Sequence, residues 1–288
     1  MLAHRCFAFF LILTTTVVHG AEPAAPTEPI NQGVRLFQAG HSFHMSMSSV
    51  AELAKLAGIP NHQNVGGLRV GGSRVIQVWN VPDDMNKAKA ALLKGEVDVL
   101  TLSPHREHPD PGIDKFVELG LAHNPKIRVT VQQSWLGYDN DRAAPSKPPV
   151  DRESMTAEKL GKLNEKYYAE FEQQLDAINQ QHGTVVYCVP IGRALTELRE
   201  QVRLGKVPGV ATQAELFRDG QGHPKAALQL LNGYCHFAVI YRRSPVGLPA
   251  PSVLAEFPPA ERDALNKVLQ EIAWAAVTKH RQSGVTGP

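Results

Sequence analysis

Val34-Arg-Leu-Phe-Gln-Ala-Gly-His-Ser-Phe-His44 reads as a short buried strand, Val34–Ala39, that stops at Gly40 and runs at once into a helical stretch. The apolar spacing predicts a helix over Ser46–Ala57, closed by Gly58 and Pro60. Three polar side chains lie in the junction: His41, Ser42 and His44. In an open α/β sheet such a strand–turn–helix junction sits at the carboxyl end of the strand, where these sheets bind their ligands. A serine at that point either caps the next helix or presents a nucleophile.

Working outward, the same unit recurs. Asn64–Val70 is a second strand and ends in Gly71-Gly72-Ser73-Arg74. Met85–Lys94 reads as helix, and Glu96–Leu102 as a buried strand that empties into Ser103-Pro104-His105-Arg-Glu-His108-Pro109. Ile113–Ala122 is an amphipathic helix, and Ile127–Val131 a fourth strand ending near Trp135. Leu136–Ser154 breaks the pattern with Pro, Asp, Asn and Arg, as a long loop, and long loops in compact domains are often functional. Ala157–Gln181 is the longest helix, with Leu160, Leu163, Tyr167, Phe171, Leu175 and Ile178 at helical spacing. Thr184–Val189 is a fifth strand, Arg193–Leu204 a helix, residues 225–241 an apolar helix and Pro259–His280 a last amphipathic one. This alternation predicts an α/β protein, a three-layer α/β/α sandwich with a five-stranded parallel sheet, formed by one domain over residues 33–288.

The remaining sequence bounds the class. Residues 1–20 have the form of a secretory signal peptide: Arg5 opens it, the apolar run Cys6–Val18 is too short to span a bilayer, and a cut before Ala21 suits the small residues there. Residues 21–32 read as a linker too poor in apolar side chains to pack. The expected location is therefore secreted or periplasmic, with no membrane association after cleavage. The formal charge is +2 with no basic stripe, which argues against a nucleic-acid partner. Cys188 and Cys235 remain after the signal; in an oxidising compartment they form either a bridge or two buried thiols. No spacing calls for a cofactor, and nothing indicates an oligomeric state.

Strand ends bring Ser42, Gly72 and Ser103 with His105 to one sheet edge, and the loop Asp219-Gly-Gln-Gly-His223-Pro224 precedes the helix over 225–241. Acyl transfer needs these types: a serine, a histidine to take its proton, a carboxylate to hold that histidine, and donors for the oxyanion. The order and spacing resemble the SGNH (GDSL-type) hydrolase family of esterases and lipases over about Val34–Leu248. That resemblance implies an SGNH/flavodoxin-like fold, with Ser42 as nucleophile, His223 as general base and Asp219 as its orienting partner. It implies oxyanion donors from the backbone of Ser42 and Gly72, with Ser103 or His105 where the family has an asparagine. The substrate implied is a small-molecule or carbohydrate ester. Three departures stand out. His41 replaces the aspartate of the Gly-Asp-Ser turn, the Asp219–His223 gap is one residue longer than Asp-x-x-His, and no asparagine follows the third strand. The extra residue falls between Gly220 and Gly222, whose conformational freedom can absorb it.

Two other readings compete. His41/His44 and His105/His108 are His-x-x-His pairs at neighbouring strand ends, and imidazoles gathered in this way can ligate a transition metal for hydrolysis. Alternatively, the departures mark a non-catalytic carbohydrate-binding protein on the same fold. Trp135 reads as a core residue or a sugar-stacking one. Arg74 reads as an anion ligand or one half of a surface salt bridge.

Overall fold

The computed structural model describes residues 28–287, apart from 46, 48 and 143. The signal-peptide reading and most of the linker lie outside the described residues. Five strands, β1 (Arg35–Gly40), β2 (Gln63–Arg69), β3 (Val99–Ser103), β4 (Arg128–Gln132) and β5 (Val186–Val189), form one sheet in the order β2-β1-β3-β4-β5. Every pairing is parallel. β3 is buried along its whole length, as a strand covered on both faces must be.

Alternating residues of β1, β3 and β5 feed two separate apolar layers. Leu36, Val99 and Val189 face the helices α2 (Val50–Leu56), α7 (Ile191–Arg203), α8 (Ala226–Tyr241) and α9 (Pro259–Lys279). Phe37, Leu100, Val129 and Val186 face α3 (Val75–Trp79), α4 (Lys87–Leu93), α5 (Pro111–His123) and α6 (Ala157–His182). This is the three-layer α/β/α architecture expected from the sequence. α8 is buried over nearly its whole length because it lies between the sheet and α9.

The expected elements recur with shifted ends, and the first helix differs in kind. The chain turns at once after β1 into a single helical turn, α1 (Ser42–Met45), and α2 begins only at Val50. The serine that caps α2 is Ser49, whose hydroxyl accepts from the Glu52 N–H at 3.3 Å. Ser42 is therefore not the cap of that helix. Gly40 sits at a close approach: a Cβ there would lie 3.0 Å from the Ser103 Cβ and 3.1 Å from His44 Nδ1, so its neighbours would have to give way. α3 was not expected from the sequence; its five residues are too few to show a period. Cys188 and Cys235 are both buried free thiols. Among the described residues no helix is long and apolar enough to cross a membrane.

The strand order reverses between β1 and β3. β2 lies on one side of β1, and β3 to β5 run away on the other. Such a switch point leaves a crevice beyond the carboxyl ends of the strands, and the junction after β1 opens into it.

Candidate active site

The loops after β1, β2, β3 and β4 line the crevice together with Gln221, and one buried carboxylate ties two of these loops together. Asp110, fully buried, accepts from the backbone N–H groups of Val75 at 2.6 Å and Ile76 at 2.9 Å at the start of α3. It also accepts from Gly112 at the start of α5 at 3.0 Å. The turn bearing Gly72 is thus pinned to the loop bearing His105 by a negative charge at two helix starts, where it is favoured. Gly72 itself has φ +60°, a left-handed conformation that explains the glycine. Arg74 pairs with Glu107 at 3.4 Å and Asp110 at 3.8 Å, which is the salt-bridge reading of that residue.

The residues from Asp219 to His223 form the tip of a short hairpin closed by an antiparallel bridge between Phe217 and Pro224. The Arg218 N–H donates to the His223 carbonyl at 2.7 Å. Gly222, at φ +104°, makes the reversal that accommodates the extra residue. The Asp219 carboxylate accepts from the backbone of Gly222 at 3.0 Å and His223 at 3.2 Å, and from the His223 ring Nδ1 at 2.7 Å. Burial pushes the Asp219 carboxyl upward in pKa, but these hydrogen bonds outweigh it, and its pKa lies below the usual carboxylate value. A carboxylate only accepts, so Nδ1 of His223 carries the hydrogen and Nε2 is left to accept. Nε2 lies 2.8 Å from Ser42 Oγ. Asp219, His223 and Ser42 thus form a continuous relay between loops 181 residues apart in the chain.

The hairpin tip is held by a segment that the sequence offered only as a loop. Three successive carbonyls of the tip each take a donor from it. Arg152 Nη2 donates to Gly220 at 2.8 Å, the Tyr138 N–H to Gln221 at 3.1 Å, and Trp135 Nε1 to Gly222 at 3.1 Å. Trp135 also stacks on Phe43 at 4.7 Å between ring centroids, and Phe43 meets the His223 ring edge-on at 5.3 Å. Trp135 is thus a packing residue of the site wall, only 7 % exposed. Below it, Asp139 receives Arg199 Nη1 at 2.6 Å and Nη2 at 3.0 Å, with Arg152 Nε at 3.3 Å. Asp139, Arg152 and Arg199 went unnoticed in the sequence. The available signal was an arginine on the buried stripe of α7 beside Leu195, Leu198 and Val202.

Beneath Ser42 a polar chain runs through the core. His41 Nε2 lies 2.9 Å from Ser103 Oγ and 3.2 Å from the Pro104 carbonyl, while its Nδ1 accepts from the Phe43 N–H. Ser103 Oγ approaches Ser134 Oγ, which accepts from Gln132 Nε2 at 2.7 Å. Gln132 Oε1 meets His236 Nε2 at 3.0 Å, and Thr101 Oγ1 lies between His236 Nδ1 and His44 Nε2. From α8, Asn232 Nδ2 donates to the Phe43 carbonyl at 3.1 Å and so holds the turn after Ser42. His41 therefore supports the turn from below, where the family pattern has aspartate.

These buried rings stay neutral. Burial lowers His41 to about 4 and His236 to about 3, and drives His44 well below its ordinary value. Because the folded-state pKa lies below the unfolded one, unfolding takes up protons, and stability falls as the pH drops from about 6.5 toward the folded values. The loss from His41 alone is expected to be on the order of 3 kcal/mol between about pH 6.5 and 4. Urea midpoints measured across that range should fall steadily; a flat profile would show that the rings are not held neutral.

The sequence-expected residues divide accordingly. Ser42, Gly72 and His105 line one cavity of about 60 Å³, together with Trp135, Tyr138 and Gln221. Ser103 does not belong to it: it is fully buried, with its hydroxyl turned to His41, because β3 carries it one layer deeper than His105. The histidine pairs do not converge. His44 bonds Thr101, His108 Nδ1 meets Gln174 at 3.0 Å and its ring stacks on Tyr167, and His41 and His105 are 6.4 Å apart. Among the described residues no group of three or more His, Cys, Asp or Glu is placed to hold a metal ion.

No family model matches the chain, and no curated protein sequence matches it. Solved structures do. A DUF4886 family protein from Bacteroides uniformis ATCC 8492 superposes with TM-score 0.55 at 15 % identity, over 86 % of this chain and 95 % of that one. A candidate SGNH hydrolase from Slackia heliotrinireducens gives TM-score 0.43 at 17 % identity, over 71 % and 97 %. Phospholipase A1 from Streptomyces albidoflavus NA297 gives 0.43 at 14 %, over 73 % and 99 %. At these identities the likeness is one of fold: the chain has the five-stranded parallel α/β/α fold.

Proposed function

We propose that this protein is a serine esterase of the SGNH (GDSL-type) kind, with Ser42 as nucleophile, His223 as general base and Asp219 as the carboxylate that orients it. The observation that carries the reading is the unbroken relay of 2.7 Å and 2.8 Å hydrogen bonds from Asp219 through His223 to Ser42. His223 Nε2 takes the hydroxyl proton as Ser42 Oγ bonds to the acyl carbon. The resulting oxyanion is met by the backbone N–H groups of Ser42 and Gly72, with a ring N–H of His105 in place of the missing asparagine. His105 is suited to this as a neutral donor: burial lowers its pKa, and Arg106 lowers it further. As the tetrahedral species collapses, the ester C–O bond breaks and the leaving alcohol takes the proton from His223. Water, deprotonated by the same ring, then releases the carboxylic acid from Ser42.

Residues 1–20 support placing the enzyme outside the cytoplasm, where its substrate would be a soluble acylated small molecule or carbohydrate. The resemblance favours this over a carbohydrate-binding role, and the ordered relay gives a binding protein no evident use for it. A fluorophosphonate probe tests the assignment. One phosphonylated residue, Ser42, is expected by peptide mapping, with none in the Ser42→Ala variant. Labelling at another residue, or equal labelling of the variant, would remove the reading.

A further inference from the structure

The Ser42 cavity is small, and its mouth is one-sided in charge. A volume of about 60 Å³ holds roughly four waters, or an acyl group of two or three carbons. Anything larger attached to the ester must lie at the mouth. The charged side chains lining the cavity are Arg106 and Arg142, and no carboxylate joins them. Among the described residues neither guanidinium has an ion pair or hydrogen bond, and the nearby acidic groups other than the exposed Asp141, which does not line the cavity, are already engaged. Glu107 and Asp110 face Arg74, Asp139 is held by Arg199 and Arg152, and Asp219 holds His223. The two arginines come from different loops, after β3 and β4, and converge on the cavity that contains Ser42.

Resting on the esterase reading, we infer that Arg106 and Arg142 form an anion subsite, and that the substrate is a short-chain acyl ester whose alcohol part bears a carboxylate or phosphate group. A guanidinium offers paired N–H donors matched to either group. Two uncompensated cations beside a low-dielectric cavity also raise the local concentration of anionic substrate, in a manner that salt weakens. The acyl group occupies the cavity wall formed by Phe43, Trp135 and Tyr138 while the anion stays at the solvent-facing mouth.

The test compares kcat/KM for 3-acetoxybenzoate with that for neutral phenyl acetate, expressed as a ratio so that intrinsic reactivity cancels between enzyme forms. The ratio is expected to fall about tenfold in the Arg106→Gln/Arg142→Gln double variant, and to fall in the wild type as NaCl rises from about 20 to 500 mM. Each single variant should show part of the loss. Among the described residues neither arginine side chain has an ion pair or hydrogen bond for its replacement to break, so circular dichroism should be unchanged. Lys267→Gln, the same charge change as either single variant but on α9 away from the cavity, should leave the ratio as in wild type. A parallel arm with 3-acetoxyphenyl phosphate distinguishes the two anions: the larger arginine-dependent ratio identifies the preferred group. Turnover of phenyl acetate with the same ratios in wild type and double variant would overturn the subsite and leave the esterase standing. Absence of turnover together with absence of fluorophosphonate labelling would overturn the esterase reading itself.

Discussion

Ser42→Ala is expected to lower kcat for 4-nitrophenyl acetate by about 10⁴-fold or more, and His223→Ala by a comparable factor. The reason is geometric. Ser42 Oγ has a base within reach, His223 Nε2 at 2.8 Å, and without that transfer the hydroxyl is a poor nucleophile at neutral pH. Since the two residues act in one proton transfer, the double variant should be scarcely slower than either single one. Asp219→Asn should cost less, on the order of 10²- to 10⁴-fold, since the Asp219 side chain is 40 % exposed and water can share in orienting the ring. Stopped-flow and steady-state assays give these factors directly. A Ser42→Ala enzyme within tenfold of wild type would remove Ser42 from the chemistry.

Asp139→Ala should produce the largest loss of stability of any single replacement near the site, about 3–5 kcal/mol. The substitution removes the carboxylate from Arg199, whose side chain is 2 % exposed, and leaves a guanidinium in the interior whose remaining hydrogen bonds among the described residues go to Gln213 and the Arg152 carbonyl. Arg152 loses the same partner, and with it the anchor that donates to Gly220 at the hairpin tip. Activity should therefore decline along with the denaturation midpoint. The Asp139→Ala/Arg199→Met double variant should recover part of the stability, because the guanidinium that is 2 % exposed is gone and only Arg152, 12 % exposed, still lacks its carboxylate. A loss below about 1 kcal/mol for the single variant would mean that water reaches Arg199 and that the cluster is not a buried ion network.

Ser42, Gly72, His105, Asp219 and His223 could be read from the chain because each sits at the end of a legible element: a strand that stops at a turn, or a loop just before a strongly apolar helix. Hydrophobic period marks those ends, where a polar residue either caps or turns the chain or faces the crevice. Residues that support the site from within elements were not legible. His236 and Asn232 lie on a helix whose apolar content hides two polar contacts. Asp139 sits in a loop whose composition says only that it is irregular, and its partner Arg199 is 60 residues away. Ser103 illustrates the opposite error, since a position at a strand end does not say whether a side chain faces the crevice or the core.

Period and punctuation alone therefore determined a parallel sheet between two helical layers and the edge where chemistry would collect, because burial on both faces demands apolar runs and turns demand glycine and proline. Tertiary structure decided what no local pattern encodes. It showed that an Asp–His gap one residue too long still closes at 2.7 Å through Gly222, that His41 turns inward to Ser103, and that a loop far along the chain grips three successive carbonyls of the hairpin. The physical reason is range: hydrophobic period acts over a few residues, whereas a hydrogen bond between distant loops exists only once the packed sheet has set both ends.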